Sequence, residues 1–206
     1  MSEIKVNSVV NSTGDNDSGL DLATNDQVII KTANTTAVTV DSSQNTTFAN
    51  KLATTNLGTG AVLQVKNFQT GAFAEGSTAI PFDNTIPQIT EGTEFMTLAI
   101  TPTASTSKLF IQVVLNGSGT NTGDMITALF VGTTADALAT AVDYDVARGQ
   151  MIINYYMTAN TTSELTFRVR AGRSSTQDFY FNGYHDSNPL FGGTLMSSIT
   201  ITEIGG

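Results

Sequence analysis

The stretch "ELTFRVRAG", residues 164–172, decides the fold class. Leu165, Phe167 and Val169 alternate with Thr166, Arg168 and Arg170. Successive side chains of a strand point to opposite faces, so this segment has one apolar face and one polar face. The C-terminal stretch repeats the pattern, with Ile199 and Ile201 alternating with Thr200 and Thr202.

Working outward, further strand segments follow Gly60 at 62–68, 78–82, 95–101, 108–117, 125–131, 150–158, 178–184 and 195–204. Turn signals separate them, among them "NGSGTNTGD", "TANTTSE" and "AGRSSTQD". Pro81, Pro87, Pro102 and Pro189 fall near strand ends, where a missing N–H is tolerated. One stretch, "TADALATAVDY" at 134–144, has Ala-rich helical character and reads as a short helical turn or a loop. Eight or nine strands in this region predict an all-β, jelly-roll-like antiparallel β-sandwich over residues 59–206.

Residues 1–58 are different. Short apolar pairs (Leu20 and Leu22, Val28 to Ile30, Val38 and Val40, then Phe48) are spaced by polar turns, and "TTNLGTGA" at 54–61 reads as a linker. So thin a segment buries too little apolar surface to offset an ordering entropy of about 1–2 kcal/mol per residue. The alternation therefore predicts that several chains share one core. Three chains about one axis would bring Val28, Ile30, Val38, Val40 and Phe48 into an intertwined stalk and cover its strand edges. The extreme N-terminus, with Ile4, Val6, Val9 and Val10, is the expected docking strand for another protein.

Composition excludes several functions. The 206 residues carry a net charge of −9 with nine basic residues and no basic run, which argues against nucleic acid binding. There is no cysteine, so thiolate metal sites and disulfides are excluded. The N-terminus lacks an apolar signal core and nowhere do 18 apolar residues run together, so no membrane insertion is expected. Only 13% of residues are charged, and Thr, Ser, Asn and Gly fill the polar balance, as suits strands and turns.

Within these bounds the chain resembles a known group of proteins. "AVTVDSSQNTTFAN" (37–50) resembles the shaft repeats of tailed-bacteriophage fibre proteins, whose short strands alternate with Asp-Ser-Ser-Gly-Asn-like turns; Gln44 stands where glycine is common. "FMTLAITPTASTSKLFIQVVLNG" (95–117), "FNGY" (181–184) and "SSITITEIGG" (197–206) resemble the globular head of such proteins, especially from marine phages. In that head a strand ends in Thr-Pro, a Ser/Thr turn and Ser-Lys lead into an apolar strand, and the last strand ends in Glu-Ile. The resemblance implies a homotrimeric virion appendage, assembled in the host cytoplasm and attached to other virion proteins by its N-terminal segment.

Candidate chemistry is sparse. Asp15, Asp17, Asp21 and Asp26 faintly echo a calcium loop, but Gly19 and the twelfth position depart from the pattern, and an acidic turn is the plainer reading; no metal is expected. No nucleophile motif accompanies the single histidine, His185, and Glu75, Glu91 and Glu94 do not form a marked glycosidase pair. The chain is therefore expected to be no enzyme and to need no cofactor. Tyr184, His185 and Asp186, in a loop punctuated by Asn and Pro, are the expected contact with a host-surface glycan or protein. Tyr144 and Arg148, the latter grouped with Asp143 and Asp145, are further candidates. The absence of Trp weighs against a sugar platform and keeps open a second reading, a capsid or baseplate decorating protein with no receptor. Arg168, Arg170 and Arg173 make up a third of the basic residues and are expected to pair with acids across a subunit boundary, the other reading being contact with an anionic receptor.

Overall fold

The computed structural model describes residues 8–10, 19–21, 27–32, 35–49, 59–144, 147–185 and 188–206. The chain divides into two units, Met1–Asn56 and Leu57–Gly206. Regular structure among the described residues is strand, apart from a short 3-10 turn at Leu190–Gly193.

The first unit is a five-stranded antiparallel sheet whose order follows the sequence: β1 (Ser8–Val10), β2 (Gly19–Asp21), β3 (Val28–Thr32), β4 (Thr35–Val40) and β5 (Thr46–Phe48). Within one chain each strand pairs with its sequence neighbours. Directly opposed residues share a face. The register therefore lays Val9, Leu20, Ile30, Val38 and Phe48 in one row across all five strands. Val28 and Val40 oppose each other on the same face. This face is open: Val9 is 53% exposed and Phe48 49%.

The turn between β4 and β5 is built on Asp41 and Gln44. Asp41 Oδ1 accepts from the amides of Ser43 and Asn45, each at 2.9 Å, and the Gln44 amide donates to Asp41 O. Gln44 closes the turn at φ 65°, in the left-handed region that glycine enters without penalty.

The second unit is a sandwich of two antiparallel sheets. Its strands are β6 (Val62–Thr70), β7 (Ala74–Gly76), β8 (Thr93–Ile100), β9 (Lys108–Ser118), β10 (Met125–Val131), β11 (Ala139–Asp143), β12 (Arg148–Thr158), β13 (Leu165–Arg173), β14 (Phe179–Phe181) and β17 (Ser197–Ile204). A two-residue pair, β15 (Gly183–Tyr184) with β16 (Asn188–Pro189), lies between the last two. The smaller sheet has the order β11-β10-β13-β8. The larger is built on β9, flanked along its whole length by β12. On its other side β9 pairs first with β17, which carries β6, and then with β14, which carries β7. At this change of partner Gly117 lies against the Phe179 ring, where any Cβ would collide.

Alternation selects what is buried. Leu109, Ile111, Val113 and Leu115 of β9 meet Phe167, Val169 and Ala171 of β13 in one core. Each of the leucine, isoleucine, valine and phenylalanine side chains contributes about 1.5–3 kcal/mol on burial. β10 is buried on both faces. Met125 and Leu129 point to the main core, whereas Ile126, Ala128 and Phe130 pack beneath Ile80 and Ile89. This corrects the strand expected at 78–82: that segment forms no ladder but lies as a cover over the smaller sheet. The Ala-rich stretch is corrected too, since Ala139–Asp143 is β11, paired with β10.

On the outer face of the larger sheet the register sets three rows across β12, β9, β17 and β6. The first is Tyr156, Phe110, Thr202 and Val65. The second is Asn154, Gln112, Thr200 and Asn67. The third is Ile152, Val114, Ser198 and Gln69.

The arginines pair within the chain, contrary to the expected subunit-boundary pairing. Arg168 holds Glu94 through bonds of 3.1 and 3.2 Å, and Arg170 donates to the carbonyls of Glu91 and Gly92. The reason is register: β13 pairs with β8, which places Glu94 beside both. Arg173 is buried, with its guanidinium against Gly119 and Gly123 and a bond to Asn121 O. Burial lowers its pKa, partly countered by the nearby Asp124.

Candidate functional site

The loop before the last strand is anchored by one buried residue. Asn182 sits at φ 55° between β14 and β15, a conformation Asn tolerates. Its Nδ2 donates to Thr70 O and Ala72 O, and its Oδ1 accepts from Ser197 Oγ at 2.6 Å. Its carbonyl accepts from the Leu190 amide, which brings the far side of the loop back to the same point. The Ser118 hydroxyl fixes Gly183 O at 2.6 Å.

So held, the loop presents an aromatic ladder. Phe73 and Tyr180 stack at 6.3 Å, Tyr180 meets Tyr184 edge-on at 6.4 Å, and the His185 ring lies 4.3 Å from Tyr184. Burial, then the neighbouring Asp178, raises the Tyr180 pKa. Arg148, the first residue of β12, places its guanidinium 4.3 Å above the Tyr184 ring. Stacking of this kind uses the face of the cation and leaves its N–H edge for other acceptors.

A cavity of about 500 Å³ opens beside this stack. Its walls include Asn116, Arg148, Gln150, Leu190, Phe191 and Leu195. The polar wall is locked: Gln150 donates to Asn116 Oδ1, and Asn116 donates to Met196 O. The rim is apolar and unusual, since Phe191 is 77% exposed and adopts φ 50°, strained for a side chain of its size.

Three of the sequence candidates, Tyr184, His185 and Arg148, thus converge on one end of the larger sheet. Asp186 and Asp145 lie outside the described residues. Tyr144 is elsewhere: its ring packs on Phe82 at 5.9 Å, near a second cavity of about 460 Å³ lined by Ile86, Leu138 and Val142. Phe191, Gln150 and Asn116 were not singled out by the sequence. The cue for Phe191 was present in "PLFGG", an aromatic residue set in a turn where nothing buries it. Among the described residues no group of three acidic or histidine side chains is placed to hold a metal ion, and no helix is long and apolar enough to cross a membrane. The possible calcium loop falls largely outside the described residues.

No family model and no curated protein matches this sequence. Distant likeness in fold is found to solved β structures. Eiger TNF from S. frugiperda has 8% identity and a TM-score of 0.39 over 68% of this chain and 93% of that one. The EclA C-terminal domain, a sugar-binding protein, has 15% identity and a TM-score of 0.35 over 53% and 72%. The infectious bursal disease virus VP2 subviral particle has 9% identity and a TM-score of 0.37 over 87% of this chain and 43% of that one.

Proposed function

We propose that this protein is a non-enzymatic virion appendage of the phage tail-fibre kind, a homotrimer whose head touches the host surface through the Arg148–Tyr184 cluster. The observation that carries the reading is the stacked Arg148–Tyr184 pair beside a cavity rimmed by the exposed Phe191. Exposed aromatic faces accept the C–H face of a sugar ring, and the edge of a stacked arginine donates to its hydroxyls. Weak single contacts gain avidity when three heads share one axis. The open apolar row of the first unit supports assembly, because Val9, Ile30 and Phe48 need a cover that the described residues do not supply. The N-terminal segment would dock the appendage on other virion proteins.

The test is binding of the purified full chain to a panel of bacterial surface glycans and to host cells. Wild-type protein is expected to bind and to compete with particles; Tyr184→Ala and Arg148→Ala are expected to bind at least tenfold less. Wild-type protein that neither binds nor competes overturns the reading.

A second reading, a capsid or baseplate decorating protein, is favoured by one observation. The Thr-Pro and Glu-Ile ends that carry the fibre-head resemblance are tied to each other through Thr103 and Glu203, a structural use rather than a recognition site.

A further inference from the structure

We infer that the outer face of the larger sheet, across β12, β9, β17 and β6, is a self-association surface that packs against the same face of neighbouring copies of this chain. The inference rests on the assembly part of the function proposed above and names the surface by which the heads meet.

The first support is charge. The three rows hold twelve residues, and none is charged. Sheet faces turned to water ordinarily carry charged side chains, and this chain has a net charge of −9. A second copy of so acidic a chain meets no carboxylate in these rows. Lys108, in the row adjoining Tyr156 on this face, is already bonded to Thr158 Oγ1 at 2.6 Å, and Lys66 of β6 belongs to the opposite pleat.

Apolar exposure is the second support. Tyr156 is 56% exposed, Val65 56% and Ile152 51%, in two rows that flank the polar middle row. That middle row is bonded in part within the sheet, since Gln112 donates to Asn154 and Asn67 donates to Thr200. Its remaining amide groups, among them Asn154 Nδ2 and Gln112 Oε1, are left to pair with the same groups of the second copy.

Size is the third. Four strands about 4.8 Å apart and the roughly six-residue span of the three rows at about 3.4 Å rise give an uncharged face of roughly 19 Å by 20 Å. That is about half of the ~800 Å² per partner of a specific contact, so these rows form the centre of the contact and the residues around them complete its area. Like faces turned toward a shared axis would bring equivalent middle-row residues within roughly 10–15 Å, near the ~10 Å spacing of packed sheets.

The absence of cysteine supplies a clean test. Asn154→Cys puts the only thiol of the full chain in the middle row, so any product of a short bismaleimide joins two copies. A linked dimer is expected on a denaturing gel. Adding Ile152→Glu and Tyr156→Glu is expected to reduce it at least tenfold, whereas Phe82→Glu with Val142→Glu, on the covering segment and β11 of the smaller sheet, leaves it unchanged. Circular dichroism and melting check that each variant is folded. The absence of a linked dimer overturns the proposal, as does a dimer that survives the two β12 glutamates or falls equally with the control pair. Linking is read independently of ligand binding. A linked dimer from protein that binds no glycan or cell leaves the interface standing and removes only the receptor role.

Discussion

Glu203 Oε1 accepts two 2.7 Å hydrogen bonds from Thr103, one from its amide and one from its hydroxyl, across one hundred residues of sequence. Gln64 Nε2 adds a third at 2.6 Å to Oε2. The carboxylate is fully buried. Burial alone would raise its pKa, but Ser107, whose hydroxyl stands near without an aligned bond, together with Gln64 and Thr103, outweighs that and holds it below the usual carboxylate value.

The sign of the pH dependence follows. A depressed native pKa means the unfolded chain binds the proton more readily, so this stabilisation is complete above the unfolded carboxylate value of about 4.3 and is lost as pH falls through the native one. Melting followed from pH 7 to 3 should show that loss, and Glu203→Gln should flatten it. Glu203→Ala strands the buried donors and is expected to cost on the order of 3 kcal/mol at pH 7.

Asn182 should be intolerant of change. Asn182→Ala removes the bonds to Thr70, Ala72 and Ser197 and forces a non-Gly, non-Asn residue into φ 55°, an expected loss of about 3–4 kcal/mol. Asn182→Gly relieves the backbone but not the lost bonds, and should fall between Ala and wild type in denaturant titration.

Gln44→Gly should stabilise the β4–β5 turn by about 0.5 kcal/mol, the relief at φ 65° exceeding the added freedom of the unfolded chain. Slower exchange of the turn amides at residues 44 and 45, read by NMR, is the expected sign.

Sequence alternation made the strands legible wherever one face is buried: β9, β12, β13 and β17 all fall where the period of two placed them. It misread 78–82 because a covering segment also alternates when Ile80 alone is anchored. It missed β11 because alanine has no strand character of its own; pairing with β10 decides it. The arginine partners were illegible because register, not composition, puts Glu94 beside β13. Of the site, Tyr184 and His185 were visible as a loop, and Arg148 as a neighbouring candidate. Their meeting depends on Asn182 and on the end of β9, which no local pattern encodes.

Assembly through the first unit is tested by Val38→Asp with Val40→Asp. Two carboxylates set beside Val28, Ile30 and Phe48 have no partner in a shared core. In sedimentation equilibrium at micromolar concentration the wild type is expected to have the mass of three chains and the variant a smaller mass. A wild-type monomer removes the stalk from the account.

The most direct measurement is adsorption of particles whose appendage carries Arg148→Ala and Tyr184→Ala, beside melting of the purified variant. The account predicts a fall in adsorption of at least tenfold with melting unchanged within a few degrees. Adsorption at the wild-type rate by particles carrying the folded variant would contradict it.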